Sequence, residues 1–212
     1  LSLPENYLLW HYRSRHESLI AFSNRTYYDN KLYTYPSPQE RTSKVSYEYV
    51  EAVYGRGGNR ANRKEAEKVV EDILKRAQDK SSSDSIGVVT FSTAQKEMIE
   101  DLLGEAFRTQ PYLEERLLAT EEPLFVKNME NVQGDERDVI LFSIGYGPDE
   151  KGKITLNFCP LNRNNGWKRL NVAITRAKKE MKIYTSIQPE QMDITRTSAR
   201  GVENLKEFLE DA

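Results

Sequence analysis

An α/β fold of three layers, with a mostly parallel sheet and helices on both of its faces, is what this sequence predicts, and three observations carry the expectation. Strand-like and helix-like stretches alternate along the chain. The strands are short, continuous and β-branched, as strands covered on both faces must be. The helices follow capping residues and carry apolar side chains at i, i+3, i+4 and i+7. Repeated strand–helix units join parallel neighbours by crossovers that lay each helix against the sheet.

Ser14, with Glu17 three residues later, is a capping-box pattern ahead of a helix carrying Leu19, Ile20 and Phe22. Residues 33–62, with YPSP at 35–38 and GRGG at 55–58, break the rhythm and predict an irregular excursion. Asn62 and Glu65 repeat the capping pattern, and Ala66, Val69, Val70, Ile73, Leu74 and Ala77 behind them form the clearest amphipathic helix. The run DKSSSDS (79–85) is a loop, and IGVVTF (86–91) is a buried strand. Ser92 and Gln95 cap the next helix, with Met98, Ile99, Leu102 and Leu103 on one face. Strands LFVK (124–127) and VILFSI (139–144), a helix around 167–178 and strand MKIYTS (181–186) complete the alternation. Residues 145–166 are a second excursion, rich in Gly, Asn and charge. Length predicts that residues 1–212 form a single domain with one sizeable core.

Composition narrows the function classes. Hydrophobic residues make up 38%, and 31 basic against 33 acidic residues leave a net charge of −2. The total carries no electrostatic footprint for nucleic acid, so such binding needs a local patch or a second lobe. Cys159 is the only cysteine, which rules out an intramolecular disulfide and a cysteine zinc cluster and predicts an intracellular, cytoplasmic setting. His11 and His16 lie five apart without a matching carboxylate pattern, so no metal site is expected. No apolar run approaches the roughly 20 residues that span a bilayer, so no membrane partner is expected. The opening has no initiator Met and runs straight into motif-dense sequence, as in a piece excised from a longer protein.

One motif is a decoy. GPDEKGK (147–153) satisfies the first seven positions of a phosphate loop. Its eighth position is Ile154 where a hydroxyl should meet magnesium, and Asp149 and Glu150 would repel phosphate. ITLNF (154–158) then continues as a strand, so residues 145–158 predict a β-hairpin.

Four segments, in order, resemble the second RecA-like lobe of superfamily 1 helicases. LLWHYRSRHESLIAFSN (8–24) is similar to the segment where an aromatic–Arg pair precedes a helix, and IGVVTFSTAQ (86–95) to the strand and turn that follow. ENVQGDERDVILFS (130–143) resembles the motif QG-x-E-x-D, and RLNVAITRAKKEM (169–181) resembles the final motif R-x-N-V-A-x-T-R-A. The resemblance covers most of the chain and lies nearest the group that includes the nonsense-mediated-decay helicases and the large bacterial multidomain AAA-domain helicases.

The resemblance implies an ATP site shared between two lobes. Arg13 and Arg176 match the family's γ-phosphate arginines, and a guanidinium reaching across a cleft suits phosphoryl transfer, where charge neutralisation and positioning do the catalysis. Glu136 matches the position that hydrogen-bonds the nucleotide sugar, Gly134 allows a tight turn beside it, and Gln133 holds that turn or relays to the site. Asn128 stands where many relatives carry a Ser or Thr that contacts a backbone phosphate, and Thr90 falls on the strand-binding face. The family also uses Mg²⁺ with ATP, and its track is single-stranded DNA or RNA. No GxxxxGK[ST], acidic metal motif or GDxxQ segment is present, so an N-terminal RecA-like lobe of the same parent is the implied partner and this chain alone should be inactive. A nucleotide role requires Arg13 and Arg176, 163 positions apart, to meet near Glu136 with accessible, loosely paired guanidiniums on the order of 10 Å apart. The rival expectation is a scaffold or nucleic-acid-binding module that keeps the fold without ATP use. Trp10, Phe22 and Trp167 are expected in packing rather than base stacking.

Overall fold

The computed structural model describes residues 9–34, 42–55 and 60–212. YPSP and most of GRGG lie outside the described residues. Five strands form one parallel sheet: β3 (Val45–Tyr49), β4 (Ile86–Thr90), β5 (Phe125–Asn128), β6 (Arg137–Ser143) and β7 (Ala177–Thr185), in the order β3-β7-β6-β4-β5. A separate parallel pair joins β1 (Trp10–His11) to β2 (Tyr33–Thr34). The helices are α1 (Ser18–Tyr27), α2 (Arg63–Gln78), α3 (Thr93–Thr109), α4 (Pro111–Leu118), α5 (Gly166–Ile174) and α6 (Arg200–Asp211). This is the three-layer RecA-like α/β architecture.

Side-chain alternation sorts the strands between two cores. From β6, Ile140 and Phe142 join Leu19 and Phe22 of α1, Leu170 and Ala173 of α5, and Leu205 and Phe208 of α6. Val139 and Leu141 of the same strand join Val69 and Ile73 of α2, Ile99 and Leu103 of α3, and Leu113 and Leu117 of α4. With both faces covered, each fully buried Leu, Ile or Val contributes roughly 1.5–3 kcal/mol. In β4, a Cβ on Gly87 would stand 2.5 Å from the Phe125 ring, so only glycine lets β5 close against it.

Two of the three expected caps form. Asn62 Oδ1 accepts from Glu65 N (3.2 Å) and Ser92 Oγ from Gln95 N (3.2 Å). Ser14 does not cap α1: its hydroxyl donates to Ala177 O (3.3 Å) and meets His11 Nε2 (2.8 Å), and the helix starts at Ser18 without a side-chain cap. Arg15 N donates to Lys178 O (2.8 Å), so this stretch is tied to the start of β7 before the helix begins.

Other boundaries also moved. The excursion at 33–62 contains an edge strand, β3, which the pattern does not announce because one neighbour, β7, defines it. The helix expected at 167–178 ends at Ile174, and β7 begins at Ala177 rather than 181. Its charged first half is accommodated by pairs to neighbouring elements, Lys178 with Glu122 (2.8 Å), Lys179 with Asp84 and Glu180 with Arg76. At 145–158 the hairpin's turn exists but its ladder does not. Asp149 N donates to Lys153 O (3.1 Å), Asp149 Oδ1 accepts from Lys151 N and Lys153 N, and Gly152 takes φ +73°. Residues 154–158 run outside any strand, with Leu156 and Phe158 buried in the core, and no helix begins near Lys153. No helix among the described residues is long and apolar enough to cross a membrane.

Candidate nucleotide cleft and strand groove

The three charged residues singled out by sequence meet at the amino ends of two central strands. Glu136 immediately precedes β6 and Arg176 immediately precedes β7. Arg13 arrives from the segment between β1 and α1. Its Nε donates to Glu136 Oε2 (2.6 Å) and its Nη1 to Thr175 O (3.3 Å). Arg176 donates from Nε to Val172 O (2.7 Å), from Nη2 to Thr175 Oγ1 (3.0 Å) and from Nη1 to Asp135 O (3.5 Å). Both arginines line one cleft of about 550 Å³ with Thr175, His11, Trp10 and Tyr28.

Pairing is tighter than the sequence suggested. Arg13 is held by a short ion pair, not loosely. Arg176 has no ion pair among the described residues and is bound to carbonyl and hydroxyl oxygens instead. Burial, then the neighbouring Arg13 charge, pulls its guanidinium down to about 10. Burial and both arginines also lower His11, which keeps it neutral near pH 7. Two guanidiniums against one partnering carboxylate leave an excess of positive charge facing the cleft. That donor set fits a phosphate group. The described residues hold no group of three or more His, Cys, Asp or Glu able to bind a metal.

Thr175 is the organising residue that sequence reasoning undervalued. Its hydroxyl donates back to Asn171 O (2.9 Å) and Val172 O (3.1 Å), ending α5, and accepts from Arg176, while its carbonyl accepts from Arg13. Asn171, the other polar residue of the same motif, donates to Tyr28 Oη (3.1 Å). Tyr12, beside Arg13, is 81% exposed, and Trp10 is 58% exposed with its ring 5.3 Å from that of Tyr33. Trp10 thus packs on a neighbouring ring at the surface, whereas Phe22 sits in the core and Trp167 stacks on Tyr27. Gly134 adopts φ +92°, a left-handed conformation suited to glycine, directly before Asp135 and Glu136. Gln133 is exposed and its side chain makes no hydrogen bond among the described residues, so it does not hold the turn.

A second concavity, of about 670 Å³, lies at the opposite, carboxyl ends of the strands. Ser92, Thr93 and Ala94 at the start of α3, Asn128 at the end of β5, and the rings of Tyr54, Phe91 and Tyr146 line it, with Arg60 and Arg163 beside them. Asn128 lines this concavity and donates to Thr93 Oγ1 (3.4 Å). Thr90 is not available there. It is fully buried and its hydroxyl donates to Ser92 O (2.9 Å), so the exposed hydroxyl on this wall is that of Thr93, three residues on.

Beneath the groove lies a buried carboxyl that no sequence pattern flagged beyond its capping role. Glu65 Oε1 accepts from Ser143 Oγ and from Gly145 N (2.7 Å each). Burial without a cation pushes it up to about 8.

Sheet, cleft and groove define a parallel α/β domain with a cationic cleft at one end of its strands and a polar groove at the other. The chain belongs to the family described as AAA domain, which it matches over residues 2–188. It is 33% identical over 208 residues, 95% of its length, to an uncharacterized ATP-dependent helicase of Mycoplasma genitalium, and equally to the homologous helicase of Mycoplasma pneumoniae. It spans 18% of the length of each of those relatives. A more distant likeness, at 16% identity and a TM-score of 0.43, joins 82% of this chain to 86% of the C-terminal domain of a possible DNA helicase from Lactobacillus plantarum WCFS1.

Proposed function

We propose that residues 1–212 act as one unit, the second motor lobe of an ATP-dependent superfamily 1 helicase, and supply Arg13 and Arg176 to the γ-phosphate of an ATP bound between this lobe and an N-terminal one. The observation that supports this most is the convergence of Arg13 and Arg176, 163 positions apart, on one cleft with surplus positive charge, Glu136 standing behind them as the ion-pair partner of Arg13. Arg176, set on carbonyl oxygens and partly desolvated, would be aimed without a competing carboxylate. Arg13 would exchange part of its contact with Glu136 for phosphate, freeing that carboxylate for the nucleotide sugar, with Gly134 shaping the turn and Gln133 reaching outward from it. Mg²⁺, which neutralises phosphate charge in such reactions, would be held by the N-terminal lobe.

The groove at the carboxyl ends would follow single-stranded DNA or RNA. The first turn of α3 would present backbone N–H groups toward a phosphate, with Thr93 and Asn128 adding donors. In the full-length protein, Arg176→Ala and Arg13→Ala should each lower kcat for ATP hydrolysis by roughly 10³-fold with less change in KM, as removal of an arginine finger does. A loss under about tenfold for both would leave the scaffold alternative standing.

A further inference from the structure

We infer that Glu65 is a positioning residue for the groove at the carboxyl ends of the sheet, holding its two walls in register through Ser143, Gly145 and Gln95. This rests on the proposal that the groove binds a nucleic-acid strand. One wall is the start of α3, where Thr93 lies two residues before Gln95. The other is the exit of β6, where Tyr146 follows Gly145.

Gln95 is buried and clasps the Asn62 peptide group, accepting from Asn62 N (2.7 Å) and donating to Asn62 O (3.1 Å). It also donates to Ser143 Oγ (3.1 Å), and Ser143 in turn donates to Glu65 Oε1 (2.7 Å). That same carboxylate oxygen receives Gly145 N (2.7 Å). Gly145 takes φ +71°, and a Cβ there would stand 2.8 Å from Gln95 Cγ. The strand exit is thus pressed directly onto the helix start, and only glycine permits it. Asn62 Nδ2 donates to Ser186 Oγ (2.7 Å), which extends the network to the end of β7.

A purely local role does not account for the carboxyl. A capping box would return Glu65 to Asn62 N, but Gln95 occupies that donor. Asn62 already caps α2 with its own side chain. A carboxyl buried without a cation lowers stability relative to an apolar residue, so what it contributes is the fixed distance between the groove walls.

The test is a double-mutant cycle in the full-length protein, reading affinity for a fluorescein-labelled oligothymidylate of about 16 nucleotides by anisotropy. Glu65→Ala, which removes the acceptor shared by Ser143 and Gly145, and Thr93→Val should each weaken binding about five- to tenfold, and the double variant should be no weaker than about tenfold, because both act through the same wall. Ser143→Ala, which removes only the bridging hydroxyl, should reproduce the Glu65→Ala loss, and calorimetry on each variant checks that it remains folded. Losses that multiply in the double variant, or Glu65→Ala and Ser143→Ala binding within about twofold of wild type, would overturn the inference while leaving the groove intact. Failure of the wild type to bind the oligonucleotide would instead overturn the groove proposal, and this inference with it.

Discussion

The two ends of one parallel sheet are built from different chemistry. At the amino ends, charge is concentrated: Arg13 is paired with Glu136, Arg176 is set on carbonyl and hydroxyl oxygens, and further ion pairs surround the start of β7. At the carboxyl ends the buried groups are Asn62, Glu65, Gln95, Ser143 and Ser186, joined to one another by hydrogen bonds rather than ion pairs among the described residues. A half-exposed site can carry ionised groups because water and neighbours share the charge, whereas a sealed one must satisfy each polar atom individually. Open parallel sheets bring ligands to their carboxyl ends. Here that end carries the proposed strand groove, while the proposed phosphate contacts lie at the amino ends, where a second lobe would close over them.

The comparison is broken most forcefully at Arg176. Beyond the alanine variant, Arg176→Lys in the full-length protein should also lose roughly 10²-fold or more in kcat, because an ammonium cannot reproduce the three-oxygen seat of the guanidinium. Steady-state ATP hydrolysis checks it, and near-normal turnover would show that point charge alone suffices.

Thr175→Val should lower kcat by about ten- to a hundredfold with a smaller change in the KM for ATP, and Thr175→Ser should recover most of it, since the hydroxyl and not the methyl orients Arg176. Equal losses for both variants would make Thr175 a packing residue.

At the other end the expected effect is thermodynamic. Glu65 titrates at about 8 in the folded chain against an ordinary 4.5, so the folded state keeps a proton that the unfolded state releases. Stability is therefore full below about pH 4.5, falls as pH rises toward 8, and levels off above it, a change of a few kcal/mol at most. Glu65→Gln should flatten that slope relative to wild type in urea denaturation at pH 6 and pH 9. An unchanged difference between the two pH values would show that the carboxyl is already ionised in the fold.

The smallest effect is expected at a single cap. Ser92→Ala removes the hydroxyl that accepts from Gln95 N and should cost about 1 kcal/mol in the same denaturation experiment. A cost well above that would mean that the α3 start and the network beneath it unfold together.

By itself the sequence determined the layered α/β class. Periodicity of 3.6 behind Asn62 and Ser92, and continuous β-branched runs at 86–91 and 139–144, are local signals that burial on both faces enforces. It also marked Arg13, Glu136 and Arg176, because their motifs are contiguous stretches of chain, and it dismissed GPDEKGK through the missing hydroxyl and the two carboxylates. Only the tertiary structure decided what non-local partners decide. Edge strand β3 exists because β7 lies beside it, and β7 begins at Ala177 because Thr175 ends α5 under the arginines. Ser14 left its capping role for a bond to Ala177 O, Thr90 was buried behind Ser92, and Gln133 turned outward. The pairing of Arg13 with Glu136 and the burial of Glu65 belong to the same class. A charge or a hydrogen bond acts over a few ångströms of space, and residues 78, 123 or 163 positions apart enter that range only when the sheet brings their strands side by side.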